Sequence, residues 1–344
     1  MRVLSAADAV SPAIQRTRDF LFRPFRWGTY LKLGLVAIVT EGVGSNLRSS
    51  SHNNHPSGHV PHVPMMHSPF DIAPMQIAAI VAALLLALLL SMWILYLVTR
   101  LRFAFFHCLI RNTKEIKPGW WLYREQATRF FWMNIGVGFC YLLAVVLVSL
   151  PFVRGFWRLF RESQQGGPFD FPLLLSLVLP LIPIILLLVL AGIALDVILR
   201  DWMLPHYALE DAAAGEAWSG VWARITAEKK QFVAYALLRL VLPTIAMIGV
   251  FIVLLIPGLI LGGSLAAVEF GLHSAFADAS GGAAVTGVLV EAFFGALAFC
   301  FMVLIGICVG GPVSTAIREY ALLFYGSRYQ PLGDALYPPA PRPA

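Results

Sequence analysis

Charge is the scarcest commodity in this sequence. Of 344 residues only 13% are Asp, Glu, Lys or Arg, against roughly a quarter in soluble domains, while 59% are hydrophobic. A water-soluble core has no room for so much apolar side chain, whereas a helical bundle facing lipid has. Cysteine is almost missing. Cys108, Cys140, Cys300 and Cys308 lie in or beside apolar segments and none forms a CxxC pair, which argues against a disulfide framework or a zinc knuckle. They read as buried, inert thiols. Nor is there a nucleophile elbow, an HExxH, a P-loop or a pair of catalytic carboxylates. The net charge of +6 does not point to nucleic acid, because the basic residues flank hydrophobic runs and read as anchors and topology signals.

What is present is long apolar runs. A membrane-spanning helix needs about 20 predominantly apolar residues. Met75–Val98, Phe130–Leu150, Phe171–Leu199, Phe232–Leu261 and Ala283–Val309 qualify, and Trp27–Val43 is a shorter sixth that carries Lys32 and Glu41. Its apolar centre also has the length of a signal-peptide core, but a long arginine-rich lead and the internal lysine favour a retained helix. The fold class is therefore all-α: a polytopic transmembrane bundle of about six spans with interfacial amphipathic helices. The chain divides into an N-terminal interfacial helix (1–26), the first span (27–44), an outer loop rich in His, Ser and Pro (45–74), a five-span core (75–330) and a proline-rich tail (331–344). Too few residues remain for a separate soluble catalytic domain of about 100–150 residues.

Charge orients this bundle. Arg2, Arg16, Arg18, Arg23 and Arg26 precede the first span, and loops 99–129 and 200–231 and the C-terminal segment hold most of the other basic residues. The alternate loops hold only Arg48, Arg154, Arg158 and Arg161. The positive-inside rule places both termini in the cytoplasm of a multi-pass protein of the inner membrane.

Within the spans, Pro180, Pro183, Pro243 and Pro257 would each bend a helix, and broken helices at mid-membrane can mark a transport site. The Gly258–Gly262 and Gly306–Gly310 spacings permit close helix approach and a homo- or hetero-oligomer. Intramembrane ionisable residues are functional candidates. Glu291 lies about two turns into the last span. Asp196 and Arg200, four residues apart, can pair on one helix face.

Other segments lie along the membrane. Ser11-Pro12 reads as the cap and first residue of a helix on which Ile14 and Leu21 share a face. There Arg16, Arg18 and Arg23 reach for headgroups, and Phe20, Phe22, Phe25, Trp27 and Tyr30 form an aromatic belt. Phe152–Arg161 places Phe152, Phe156, Leu159 and Phe160 opposite Arg154, Arg158 and Arg161, as expected of a helix lying flat in the outer leaflet and binding lipid phosphates. The two cytoplasmic loops echo one another: Arg102, His107, Trp120, Trp121, Tyr123, Arg124 and Phe130 against Arg200, His206, Trp218, Trp222, Arg224 and Phe232. A repeated unit of span, amphipathic helix, span follows. In the outer loop His52, His55, His59, His62 and His67, with Met65 and Met66, are candidate ligands for weakly held zinc or copper; a polar spacer is the plain alternative.

The opening Leu21-Phe22-Arg23-Pro24-Phe25-Arg26-Trp27 with Tyr30-Leu31-Lys32-Leu33-Gly34 resembles the start of a family of uncharacterised prokaryotic polytopic membrane proteins. Ala217-Trp218, Val221-Trp222 and Lys229-Lys230 resemble that family's cytoplasmic loop, and also the membrane domain attached to some glycerophosphodiester phosphodiesterases. Tyr320 to Tyr329 resembles the closing motif of the same group, with Gly326-Ser327 where Asp-Leu is usual. The resemblance implies a six-helix bundle and no established activity; the phosphodiesterase barrel with its metal ligands has no counterpart here. The expectation is a non-enzymatic membrane protein concerned with the envelope or its lipids. A small-molecule or ion transporter is the first alternative, an intramembrane enzyme the second. The expected partners are membrane lipids.

Overall fold

The computed structural model describes residues 3–46, 74–164, 171–276 and 282–338, and every regular element among them is helical. In chain order these are α1 (Val10–Phe22), α2 (Trp27–Asn46), α3 (Pro74–Arg111), α4 (Ile116–Leu122), α5 (Arg124–Gln164), α6 (Phe171–Val197), a π-helical turn (Ile198–Met203), α7 (Leu204–Leu209), α8 (Ala214–Ala227), α9 (Lys229–Phe276), α10 (Gly282–Gly326) and α11 (Gln330–Leu336). Five stretches are long and apolar enough to cross a membrane: Ile77–Arg111, Arg124–Arg161, Leu174–Leu209, Lys229–Ile256 and Val285–Gly326. The chain is thus an all-α, multi-pass membrane protein. The sixth expected span forms a helix, α2, but it is shorter and is not among those five.

The helices divide between two units, the first made of residues 1–42, 107–115 and 197–344, the second of 43–106 and 116–196. In the first unit the buried core gathers at one end of the long helices. Tyr235 of α9 stacks on Tyr320 and Phe324 of α10, with centroids at 5.0 and 4.5 Å, and Trp202 meets Phe232 edge-on at 4.8 Å. Farther along α9 and α10 the large apolar side chains are exposed, as lipid-facing residues must be: Ile252, Val253 and Phe299 among them. α2 lies against α10 through glycine. A Cβ added to Gly311 would stand 2.6 Å from the Gly34 Cα, so the two backbones touch there. The Gly258, Gly262 and Gly306 positions face open space instead, so the close packing within this unit uses a different glycine pair from those the spacing suggested.

α1 packs on α10, and its buried face is Ala13, Thr17, Phe20 and Leu21. Ile14 is exposed, so it does not share the buried face of Leu21, and Phe20 belongs to the core rather than to the aromatic belt. The helical path begins before Ser11-Pro12. Ser5 Oγ accepts from the Asp8 amide at 3.1 Å and donates to the Asp8 carboxylate at 2.7 Å, a Ser-x-x-Asp cap on the turn that leads into α1.

In the second unit, Phe103 meets Phe130 edge-on at 5.5 Å and the Arg100 guanidinium lies 4.3 Å from the centre of the Trp120 ring. Phe152–Arg161 is not a separate helix. α5 continues through Pro151 as one 41-residue rod, because a single missing donor does not end a helix when the turns on both sides are bonded. Gly155 allows α5 to approach α6, where a Cβ would meet Leu177 at 2.4 Å. The prolines of α6, Pro180 and Pro183, likewise sit inside an unbroken helix. The one irregular turn lies beyond them, between α6 and α7.

Candidate functional site

That irregular turn is the centre of the site. Pro205 has no N–H to offer, and its ring crowds the preceding helical carbonyl. The backbone widens into a π turn, whose bonds run from residue i to i+5. The residue Pro205 would have bonded in that pattern is Arg200. Its orphaned carbonyl accepts from Arg318 Nη1 of α10 at 2.8 Å.

The same turn buries Asp201 completely. Its carboxylate accepts from Tyr235 Oη at 2.7 Å, from Arg239 Nε at 2.9 Å and from Arg318 Nη1 at 3.2 Å. Arg239 also donates through Nη2 to Glu41 Oε2 of α2 at 2.7 Å, and Arg200 Nη1 donates to the Glu41 carbonyl at 3.2 Å. Two carboxylates and two guanidiniums, Glu41, Asp201, Arg239 and Arg318, therefore form one buried chain with balanced charge. It ties α2, the π turn, α9 and α10 together at one level. Each ion costs several kcal/mol to desolvate, and only such complete pairing offsets that. Chemically, a carboxylate held by three donors is a poor base but a strong fixed anchor for helices.

A second polar group sits one turn further on. His206 is buried, with Nδ1 3.0 Å from Glu210 Oε2 and Nε2 2.8 Å from the Tyr325 hydroxyl; which nitrogen carries the proton follows from these partners. Tyr329 stacks against the imidazole at 4.2 Å, and the Arg224 guanidinium covers the other ring, 4.9 Å from the centre of Tyr329. Burial alone would raise the Glu210 carboxyl, but its polar neighbours Tyr329 and His206 hold it below the ordinary carboxylate value. Burial, followed by the nearby Glu210, raises the Tyr329 hydroxyl. Gly220 lets α8 approach: a Cβ there would meet Arg224 at 3.2 Å and His206 at 3.4 Å. Two further pairs close this end of the unit. Arg16 Nε lies 3.1 Å from the fully buried Glu319, and Arg328 lies 2.9 Å from Glu228. Arg16 is thus an internal ion-pair partner rather than a headgroup ligand.

The sequence candidates are distributed unevenly around this site. Arg200 is in it. Asp196 ends the second unit's part of the chain. Glu291 is half-buried on α10, about 40 Å from Arg318 at 1.5 Å per residue. Arg154, Arg158 and Arg161 are exposed along α5. The candidate metal ligands His52, His55, His59, His62 and His67 lie outside the described residues. The reading of the sequence missed Glu41, Asp201, Tyr235, Arg239 and Arg318. One signal was available: Arg200-Asp201-Trp202 with His206-Tyr207 and Arg318-Glu319-Tyr320 with Phe324-Tyr325 carry the same residue classes in the same order without a gap.

A family model matches residues 4–334, a stretch that contains every residue of both buried networks. The chain belongs to a family of unknown function, DUF7544. No curated protein and no solved structure matches it. What can be said of this DUF7544 chain rests on its own geometry.

Proposed function

We propose that this chain is a non-enzymatic protein of the inner membrane, crossing it six times with both termini in the cytoplasm, that serves the envelope by holding membrane lipids. The observation that carries the reading is how the surface and interior divide. The long helices present Leu, Ile, Val and Phe outward along most of their length, as in Leu84, Leu86, Leu187, Ile252 and Phe293. The ionisable groups of the two buried networks are turned on one another. Such a body offers lipid a large, fixed apolar surface bounded by aromatic and basic residues. The resemblance to prokaryotic six-span proteins, and to the membrane domain attached to glycerophosphodiester phosphodiesterases, agrees with this reading. α2 supplies the sixth crossing, its inner face covered by α10.

Native mass spectrometry of the purified protein tests this. Phospholipid adducts should survive detergent exchange; bare protein after mild exchange would overturn the lipid reading. Reporter fusions test the topology. Glu115 and Glu216 should report the cytoplasm and Ser57 the outside, and a cytoplasmic signal at Ser57 would remove α2 as a span.

A second reading, transport of a small molecule or ion, is favoured by the π turn carrying a buried aspartate between arginines, since π turns and intramembrane charges recur at functional sites. It requires that Asp201→Asn abolish a flux while leaving lipid retention unchanged.

A further inference from the structure

The cations of the first unit are mostly matched. Arg16 faces Glu319, Arg18 and Arg23 share Asp19 at 3.9 and 3.2 Å, Arg328 faces Glu228, and Arg239 and Arg318 face Asp201. One corner differs. Where the chain turns from α1 into α2, Arg26 and Lys32 meet the end of α3 and the loop behind it, which carry Arg111 and Lys114. Lys114 Nζ donates to the Pro24 carbonyl at 2.8 Å, and the charge of Arg26 acts on it. Lys32 is within electrostatic range of Cys108, the next turn back from Arg111. Among the described residues, none of these four cations has a carboxylate within ion-pair distance, and Arg26, Lys32 and Arg111 are exposed.

Local backbone fixes the corner. α3 ends with Asn112 in the left-handed region, φ 50°, and the Thr113 amide returns to the Cys108 carbonyl at 3.0 Å, the closing pattern of a Schellman cap. Lys114 is therefore held just past a fixed helix end. Beside it stands a knot of aromatic rings. Phe25 stacks on Phe22 at 6.0 Å, meets Trp27 edge-on at 5.2 Å and lies 5.6 Å from Tyr30. Phe22, Phe25 and Trp27 are 43%, 44% and 63% exposed, which in water would leave an aromatic patch uncovered. Four unmatched cations against like charges, fused to exposed Phe and Trp at the foot of an apolar helix, complement one thing: an anionic headgroup whose acyl chains continue past the rings.

We propose that this corner, Phe22, Phe25 and Trp27 with Arg26, Lys32, Arg111 and Lys114, is a binding site for one anionic phospholipid. The headgroup phosphate neutralises the cations, while glycerol and upper acyl carbons cover the rings. The inference rests on the lipid-holding reading above and assigns it a place and a lipid class.

The test uses the full chain in nanodiscs that contain phosphatidylglycerol and phosphatidylcholine in equal amounts, with bound lipid read by native mass spectrometry. Arg26→Gln, Arg111→Gln and Lys114→Gln together should weaken the preference for phosphatidylglycerol about a hundredfold, at about 1 kcal/mol per cation near a membrane surface. The matching Lys/Arg exchanges should keep it. Replacing Arg154, Arg158 and Arg161 by Gln should leave it intact. If the triple Gln variant fails to fold, the wild-type preference must still fall as salt is raised from 0.05 to 0.5 M. An unchanged preference in the triple variant, a salt-independent one, displacement by millimolar inorganic phosphate alone, or loss of a protein dimer in place of lipid would each overturn the site. If the variant sheds this preference but bulk lipid stays bound, the site is confirmed separately from the general reading. If no variant or wild-type protein retains any lipid, the general reading fails as well.

Discussion

Replacing Asp201 by Asn is the sharpest single perturbation of the buried network. The carboxylate is fully inaccessible and accepts three hydrogen bonds, two of them from guanidiniums. The amide keeps the size but loses the charge, and its NH2 must face at least one donor. Arg239 retains Glu41 at 2.7 Å, so its charge stays compensated. Arg318, only 4% exposed, keeps the Arg200 carbonyl but loses its carboxylate. Breaking a buried pair on one side costs about 3–5 kcal/mol. Glu41→Gln should cost less, about 1–3 kcal/mol, because Arg239 still faces Asp201 and only one charge-assisted bond weakens. Thermal unfolding in detergent, followed by near-ultraviolet circular dichroism of the aromatic core, reads both. At roughly 2–4 °C per kcal/mol, Asp201→Asn should melt about 6–20 °C below wild type. The double variant Asp201→Asn with Arg318→Met should recover part of that loss, since it leaves no uncompensated guanidinium. An Asp201→Asn protein that melts within 2 °C of wild type, or no recovery in the double variant, refutes the claim that these charges lock the four elements together.

Gly311→Ala should destabilise by at least about 1–3 kcal/mol, because its Cβ would strike the Gly34 backbone, whereas Gly306→Ala, which faces open space, should be neutral or stabilising by up to about 1 kcal/mol; paired melting curves decide. Glu210 makes stability depend on acid. Its carboxyl is lowered in the fold, so its contribution is complete above the unfolded value near 4.5 and is lost as pH falls through the lowered folded value; Glu210→Gln should flatten the melting profile over that window and leave it unchanged near pH 7. Arg16→Gln should loosen α1, since it leaves the buried Glu319 without its cation, and hydrogen exchange across residues 10–22 should rise at least tenfold while that of 230–240 holds.

Much of the fold was legible because membrane helices announce themselves by composition. The charge-free run from Ile77 to Leu90 allows no other reading, and five of the spans read there match the long apolar helices. What was not legible depended on partners far away in sequence. Ile14 and Leu21 occupy neighbouring positions by periodicity, but only the packing of α10 decides that Leu21 is covered and Ile14 is not. Arg16 reads as a headgroup ligand until Glu319, some 300 residues later, takes it up. The buried network was hidden for the same reason: Glu41, Asp201, Arg239 and Arg318 come from four elements, and each alone looks like a charge near a span end. The repeat between the two loops was visible, and the edge-on pairs Phe103–Phe130 and Trp202–Phe232 give it a physical basis.

That repeat also changes the meaning of the π turn. A residue added to an α-helix rotates everything beyond it by about 100°, enough to turn an inward side chain outward. Phe103 precedes His107 by the same interval that separates Trp202 from His206, but Arg102 adjoins Phe103 while a residue intervenes between Arg200 and Trp202. The intervening residue is Asp201. Read as a history, the wide turn is the trace of an insertion that the helix swallowed without re-aiming what followed. The inserted residue became the ion that the rest of the unit closed around. Family members one residue shorter at this place should carry an ordinary α turn there, and should have no need of arginines at the positions of Arg239 and Arg318.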